Sequence, residues 1–130
     1  MRLRVTLALT LGILGAALFP GQASALSCNA WTEPPFATTI NGQRVIESYG
    51  GYYCDTTVSQ ITVNTCIEGA YPVGYPIYCE QGFKGSGSDV RRYARMTCVP
   101  GYYRTWAHGY FLGGLQPRDA HSSWVLITAC

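Results

Sequence analysis

Charged residues are scarce in this sequence, and helical periodicity is missing from it. Charged side chains make up 12% of the 130 residues, against a usual share of roughly a quarter. The low charge and the 48% hydrophobic content exclude a disordered, self-repelling chain. Apolar residues do not recur at helical spacing over any long stretch without an intervening glycine or proline, so no helix is predicted after residue 25.

The common motifs of catalysis and metal binding are missing as well. No CxxC pair occurs, and the two histidines, His108 and His121, are not at the spacing of metal ligands. Either histidine could pair with Asp89 or Asp119, but no GxSxG nucleophile elbow accompanies them. The carboxylates that a glycosidase would need as an opposed pair are scattered, at Glu33, Glu47, Glu68 and Glu80. We therefore predict a protein that is not an enzyme and holds no metal or cofactor.

Residues 1–25 have the features of a secretory signal peptide. A positively charged start precedes an uncharged apolar run over Val5–Leu18, and Ala23-Ser24-Ala25 supplies the small residues of a cleavage site. The run is shorter than the roughly 20 residues needed to span a bilayer. An uncleaved anchor or a buried core helix is the alternative interpretation. We predict a secreted, extracellular protein with one domain over residues 26–130 and no membrane contact after cleavage.

Cleavage would remove the net positive charge of the chain. Nine basic and seven acidic residues give a formal charge of +2, and Arg2 and Arg4 lie in the signal peptide. The remaining domain is therefore neutral, and it lacks the basic surface that binds nucleic acid. The arginines within Arg91–Arg95 are interpreted as a solvated strand face.

All six cysteines lie after residue 25, at Cys28, Cys54, Cys66, Cys79, Cys98 and Cys130. An even number in an exported chain predicts three disulfides, which could pair in about fifteen ways. Cys66 and Cys79 flank a turn between strands that should pair, so we predict that they are bonded. Cys98 and Cys130 each end a late strand, so we predict a second bridge between them. Cys28 and Cys54 remain as the third pair.

Short β-prone runs separated by turn signals fill the rest of the chain. Phe36–Ile40 and Gln43–Tyr49 flank Asn41-Gly42, a strong signal for a two-residue hairpin. The other predicted strands are Val58–Ile67, Pro76–Glu80, Val90–Val99, Tyr102–Phe111 and Ser122–Cys130. Further turns are predicted at Gly50-Gly51, Glu68–Pro76, Lys84–Asp89, Pro100-Gly101, Gly113-Gly114 and Gln116–Asp119. Seven short strands predict an all-β, antiparallel β-sandwich.

Tyr103 lies at the start of the penultimate predicted strand, Tyr102–Phe111, where immunoglobulin-like sandwiches place a tyrosine corner. The alternation of strand residues predicts a core face there and an opposite face. The core face consists of Tyr103, Thr105 and Ala107, and the opposite face of Arg104, Trp106 and His108.

Three segments, Tyr49–Cys54, Val58–Val63 and Tyr103–Thr105, resemble small secreted, disulfide-bonded, immunoglobulin-like β-sandwich proteins of actinobacteria. The resemblance covers Tyr49 to Cys130 and carries over no catalytic residue. It implies an extracellular immunoglobulin-like domain. Some small exported proteins of these bacteria are adaptors in larger assemblies, such as the umbrella toxin particles of Streptomyces, which join a lectin to a repeat-built toxin.

Aromatic side chains are the most abundant functional resource of this chain, because they offer large, stiff contact areas. Three regions are candidates for partner binding: the segment before the first predicted strand, the loop Glu68–Pro76 and the outward side of Tyr102–Phe111. Their predicted contact residues are Trp31, Pro34, Pro35, Phe36, Tyr71, Tyr75, Trp106 and Tyr110. For any single tryptophan, packing in the core is the competing interpretation.

These features favour a secreted, non-enzymatic interaction module that binds an extracellular protein. We expect an adaptor or subunit of an extracellular assembly, such as an antibacterial toxin complex. The first alternative is a carbohydrate-binding domain in which Trp106 and Tyr110 stack on sugar rings. The second is a small inhibitor or antimicrobial protein with Glu68–Pro76 as its exposed loop.

Overall fold

The computed structural model describes residues 25–70 and 75–130, which form seven β-strands and contain no helix. The strands are β1 (Cys28–Thr32), β2 (Phe36–Ile40), β3 (Gln43–Gly69), β4 (Tyr75–Thr97), β5 (Gly101–Phe111), β6 (Leu115–His121) and β7 (Val125–Ile127). The predicted signal peptide falls almost entirely on residues 1–24, outside the described residues. Within the described ranges, no helix is long and apolar enough to cross a membrane.

All seven strands belong to one antiparallel sheet, built around the long strand β3. On one side β3 pairs with β4, and on the other side it pairs in turn with β2, β1 and β5. β6 and β7 both pair with β5. The β3–β4 pairing shifts register between Tyr53 and Val58, and the sheet curls into a half-barrel. The prediction of an all-β antiparallel fold is therefore confirmed, and the strands form one curled sheet.

The curl brings two halves of this sheet face to face. The N-terminal half contains β1, β2, the start of β3 and the end of β4; the C-terminal half contains the remaining parts of β3 and β4 with β5, β6 and β7. A Cβ placed on Gly50 would lie 2.8 Å from the Thr65 hydroxyl and 2.9 Å from the Ala107 methyl group. Tyr52 similarly faces Gly109 across the fold. The inner faces of the two halves thus pack against each other.

The core between the halves is filled by alternate residues of the strands. In β3, Ile61, Val63 and Ile67 are fully buried. Tyr52, which has no exposed surface, packs in one cluster with Ile61 and Val63, and Ile67 belongs to a second cluster. Burying side chains of this size stabilises a fold by roughly 1.5–3 kcal/mol each, before the entropy of ordering them is counted. Because every second residue is committed to this core, the intervening residues must lie on the outer face.

All three predicted disulfides are confirmed. Cys28–Cys54 ties β1 to β3, Cys66–Cys79 joins β3 to β4, and Cys98–Cys130 holds the end of the chain beside the end of β4. Disulfides of this number are typical of proteins that work in an oxidising compartment, which is consistent with an extracellular location.

The predicted alternation of β5 is also confirmed. Tyr103, Thr105 and Ala107 are buried, whereas the residues between them are partly exposed. The Tyr103 hydroxyl donates a hydrogen bond of 2.6 Å to the carbonyl oxygen of Val99, four residues upstream. Tyrosine corners contain a hydrogen bond of this type, from the hydroxyl to the backbone a few residues upstream.

Three of the predicted turns are wrong, because the residues lie inside strands. Gly50 and Gly51 belong to β3, where the missing side chains make room for Thr65 and Trp31. Lys84–Asp89 belongs to β4 and bends with β3 at the register shift, and Gln116–Asp119 belongs to β6. The Asn41-Gly42 turn is confirmed, with φ angles of 50° and 77° that suit a tight hairpin.

Candidate functional site

Aromatic, charged and amide side chains that are exposed or partly exposed form two groups on the outer face of the sheet, one on each half. The group on the N-terminal half, here called the Trp31 face, consists of Trp31, Phe36, Tyr49, Tyr53, Arg91, Tyr93 and Arg95. The group on the C-terminal half, here called the Trp106 face, consists of Asn64, Gln81, Trp106, His108, Tyr110, Asp119 and His121.

On the Trp31 face, three aromatic rings form a continuous row across β2, β3 and β4. The Phe36 and Tyr49 rings are stacked, with centroids 5.9 Å apart and planes at 3°. Tyr49 is followed by Tyr93, whose ring centroid lies 6.0 Å away. Phe36 and Tyr93 are 40% and 39% exposed, so the two ends of the row remain open to solvent.

Arginine side chains cover this aromatic row and its neighbour Trp31. The guanidinium carbon of Arg95 lies 4.9 Å from the Tyr93 ring centroid, and that of Arg92 lies 5.4 Å from it. Arg91 lies 5.9 Å from the Trp31 ring. The predicted solvated strand face is therefore a set of cation–π contacts between arginines and aromatic rings.

A buried carboxylate holds the Trp31 face in one arrangement. Glu47 is only 4% exposed and accepts hydrogen bonds from Arg95 Nε at 2.8 Å and Arg95 Nη2 at 2.5 Å. It also accepts a bond of 3.2 Å from the Tyr49 hydroxyl. Burial, together with that bond to Glu47, raises the pKa of Tyr49, and the bond to Glu47 raises the pKa of Arg95. Both residues therefore keep their usual protonation states near neutral pH.

The predicted N-terminal arm does not extend away from its own domain. Trp31 pairs with Gly51 of β3, and the disulfide Cys28–Cys54 anchors the start of the segment. Pro34 is exposed, whereas Pro35 is buried. The arm thus presents Trp31 and Phe36 as parts of the sheet surface, whereas the predicted contact residue Pro35 is buried.

On the Trp106 face, consecutive outward side chains of β5 form a second aromatic row. The ring centroids of Trp106 and His108 are 6.0 Å apart, and those of His108 and Tyr110 are 5.7 Å apart. The His121 ring of β6 stacks on Trp106 with the planes at 16°. All four side chains are partly exposed or exposed, so the predicted ridge of Trp106 and Tyr110 includes His108 between them.

Asp119 connects two of these rings. Its Oδ1 atom accepts a hydrogen bond of 3.0 Å from Trp106 Nε1 and lies 2.8 Å from His108 Nδ1. The pairing of a histidine with Asp119 that the sequence allowed is therefore present. The hydrogen bonds of the described residues join the His108 ring to Asp119 and to no hydroxyl or thiol that could act as a nucleophile.

An ion pair borders the Trp106 face at the end of β3. Glu68 is 4% exposed and accepts a hydrogen bond of 2.5 Å from Arg104 Nε, and Arg104 lies 4.6 Å from the Trp124 ring. His121 Nε2 lies 3.8 Å from the other carboxylate oxygen of Glu68. Among the described residues, no group of three or more histidine, cysteine or acidic side chains is placed to hold a metal ion.

Two of the predicted contact residues cannot be placed in either group. Tyr71 lies in residues 71–74, outside the described ranges, and of Tyr75 only the backbone position at the start of β4 is described. The predicted contact role of the Glu68–Pro76 loop stays a prediction.

Sequence reasoning did not predict that Tyr49, Tyr93 and Arg95 belong to a partner-binding surface. Tyr49 and Tyr93 occupy opposite positions of β3 and β4, 44 residues apart, and only the register of the two strands shows that they meet. Alternation along Gln43–Tyr49 could have identified Tyr49 as an outward residue, but it could not have predicted that Tyr93 lies next to it. No protein-family model, curated protein or solved structure matches this chain.

Proposed function

We propose that this protein is a secreted, non-enzymatic interaction module that serves as an adaptor or subunit of an extracellular protein assembly. Its contact surface for a protein partner is the Trp31 face. The observation that carries this proposal is the stacked row of Phe36, Tyr49 and Tyr93, covered by Arg95 and held by the buried Glu47.

The residue types of the Trp31 face are those that contribute most to protein binding. Tryptophan, tyrosine and arginine dominate the energetic centres of interfaces. Here they are already ordered by stacking and by the bonds to Glu47, so little side-chain entropy remains to be lost on association. Tyr53, which is 45% exposed, extends the same surface along β3.

The resemblance to immunoglobulin-like proteins of actinobacteria is part of this proposal. The tyrosine corner at Tyr103 and the two facing halves of the sheet support it, the halves taking the place of the two layers of a sandwich. In this proposal the partner assembly is an antibacterial toxin complex, in which the domain joins two other components.

The test is purification of the tagged protein from the culture medium of the producing organism, with co-purifying proteins identified by mass spectrometry. A short linker separates the tag from Cys130, which is disulfide-bonded. We expect a stoichiometric partner, and we expect the double variant Phe36→Ala/Tyr93→Ala to lower its recovery by about tenfold or more.

The matched control is Tyr102→Ala, which removes a tyrosine that is 54% exposed on β5, away from the Trp31 face. Its recovery of the partner should equal that of the unmodified protein. The proposal fails if no protein co-purifies in stoichiometric amount, or if the control variant loses the partner to the same extent.

A further inference from the structure

A single carboxylate oxygen orders the aromatic row on the Trp106 face. Asp119 Oδ1 binds both the indole of Trp106, at 3.0 Å, and the imidazole of His108, at 2.8 Å. Asp119 lies on β6 opposite His108, so the register of β5 and β6 places its carboxylate next to both rings. The rings therefore have a fixed orientation before any ligand arrives.

Polar side chains flank this row on the adjacent strands. Asn64 of β3 lies opposite His108, and Gln81 of β4 lies opposite Asn64, so amide groups continue the line that starts at Asp119. Thr62 stands opposite Tyr110 in the same way. Asn64 and Gln81 thus offer hydrogen-bond donors and acceptors beside the rings, while Phe83, which lies opposite Thr62 and is 61% exposed, adds a further aromatic ring at the edge of this surface.

We infer that the Trp106 face binds a neutral, linear polysaccharide of pyranose sugars. The apolar faces of the sugar rings would stack on Trp106 and Tyr110, while their hydroxyl groups would bond to Asn64, Gln81 and the second carboxylate oxygen of Asp119. This site lies on the opposite half of the sheet from the Trp31 face and does not depend on it.

The geometry and the charge of the face select this class of ligand. The ring centroids of Trp106, His108 and Tyr110 follow one another at 6.0 and 5.7 Å along β5, so the two rings proposed to stack on sugars stand in one line with His108 between them. Asp119 is 52% exposed in its side chain, and the nearby Arg104 is already bound to Glu68. An anionic polymer would therefore be repelled by the exposed carboxylate of Asp119, whereas a neutral sugar would use its second oxygen as an acceptor.

The test is isothermal titration calorimetry of the purified protein with three soluble probes: cellohexaose, xylohexaose and the hexamer of N-acetylglucosamine. We expect at least one probe to bind with a Kd below about 1 mM. Replacing the indole by Trp106→Ala should weaken that binding by about tenfold or more, and Trp106→Phe should restore part of it.

Two further variants separate this site from general damage to the fold. Asp119→Ala removes the carboxylate that bonds to Trp106 and His108 but leaves both rings in place. It should therefore weaken sugar binding while the circular dichroism spectrum stays unchanged. Tyr93→Ala, on the Trp31 face, should leave the affinity for the sugar unchanged even where it removes a protein partner.

The inference is wrong if none of the three probes binds the unmodified protein, or if Trp106→Ala and Asp119→Ala bind the probe as well as the unmodified protein does. It is also wrong if no sugar binds and Trp106→Ala instead removes a co-purifying protein, because the face would then be a protein-binding surface.

Discussion

The indole of Trp31 lies directly over Gly51 on the neighbouring strand, in the space that a side chain at position 51 would occupy. A Cβ on Gly51 would overlap the indole ring. Both glycines are therefore required by close packing. Gly50 packs against the opposite half of the sheet, and Gly51 packs against the Trp31 ring.

Gly51→Ala should destabilise the protein by about 1–3 kcal/mol, because the added methyl group forces Trp31 out of its position. Urea denaturation of the purified protein measures the change. The control is Gly85→Ala in β4, where nothing lies within 4 Å of the added Cβ and little loss is expected. Equal stability of the two variants would contradict the role given to Trp31, and adding Trp31→Ala to Gly51→Ala should recover part of the loss.

Tyr103→Phe should lower the free energy of unfolding by about 1 kcal/mol, because it removes the hydroxyl that donates to Val99. The neighbouring variant Tyr102→Phe changes the same chemical group at a position that is 54% exposed, and it should leave stability unchanged. Chemical denaturation of both variants gives the comparison. Equal free energies of unfolding for the two variants would show that the hydrogen bond of Tyr103 does not stabilise the protein.

Arg104→Met should destabilise the protein by about 2 kcal/mol, because it leaves the carboxylate of Glu68 buried without its guanidinium partner. The expected loss is smaller than for a fully buried pair, since the Arg104 side chain is 23% exposed. The double variant Glu68→Leu/Arg104→Met should be more stable than Arg104→Met alone. If the double variant is instead less stable, the buried charge is not the cause.

Stability should fall as the pH rises above about 10, the ordinary pKa of tyrosine. Burial raises the pKa of both Tyr52 and Tyr103 in the folded protein. Above pH 10 the unfolded chain loses these protons while the folded protein still retains them, so unfolding becomes more favourable with increasing pH. Thermal melting between pH 8 and pH 11 should show a shallower decline for Tyr52→Phe than for the unmodified protein. Identical declines would show that other groups govern the alkaline transition.

Much of the local structure could be predicted from the residues alone. The Asn41-Gly42 hairpin depends on two adjacent residues that tolerate positive φ, and the β5 alternation depends on a period of two that any strand imposes. The disulfides Cys66–Cys79 and Cys98–Cys130 followed from cysteines that flank a turn or end late strands. These signals are all carried by residues that are close in the chain or by single strands.

The surfaces, in contrast, were decided by the tertiary structure. Gly50-Gly51 has the composition of a turn, yet it lies within β3. There Thr65 packs closely against Gly50 and Trp31 packs closely against Gly51, and a side chain at either position would collide with them. Tyr49 reaches Tyr93, and Trp106 reaches Asp119, only through the register of strands whose pairing is set by the curl of the whole sheet. The sequence determined which side chains face outward, because alternation along a strand is local. The tertiary structure decided which of them meet, because register is a property of the paired strands.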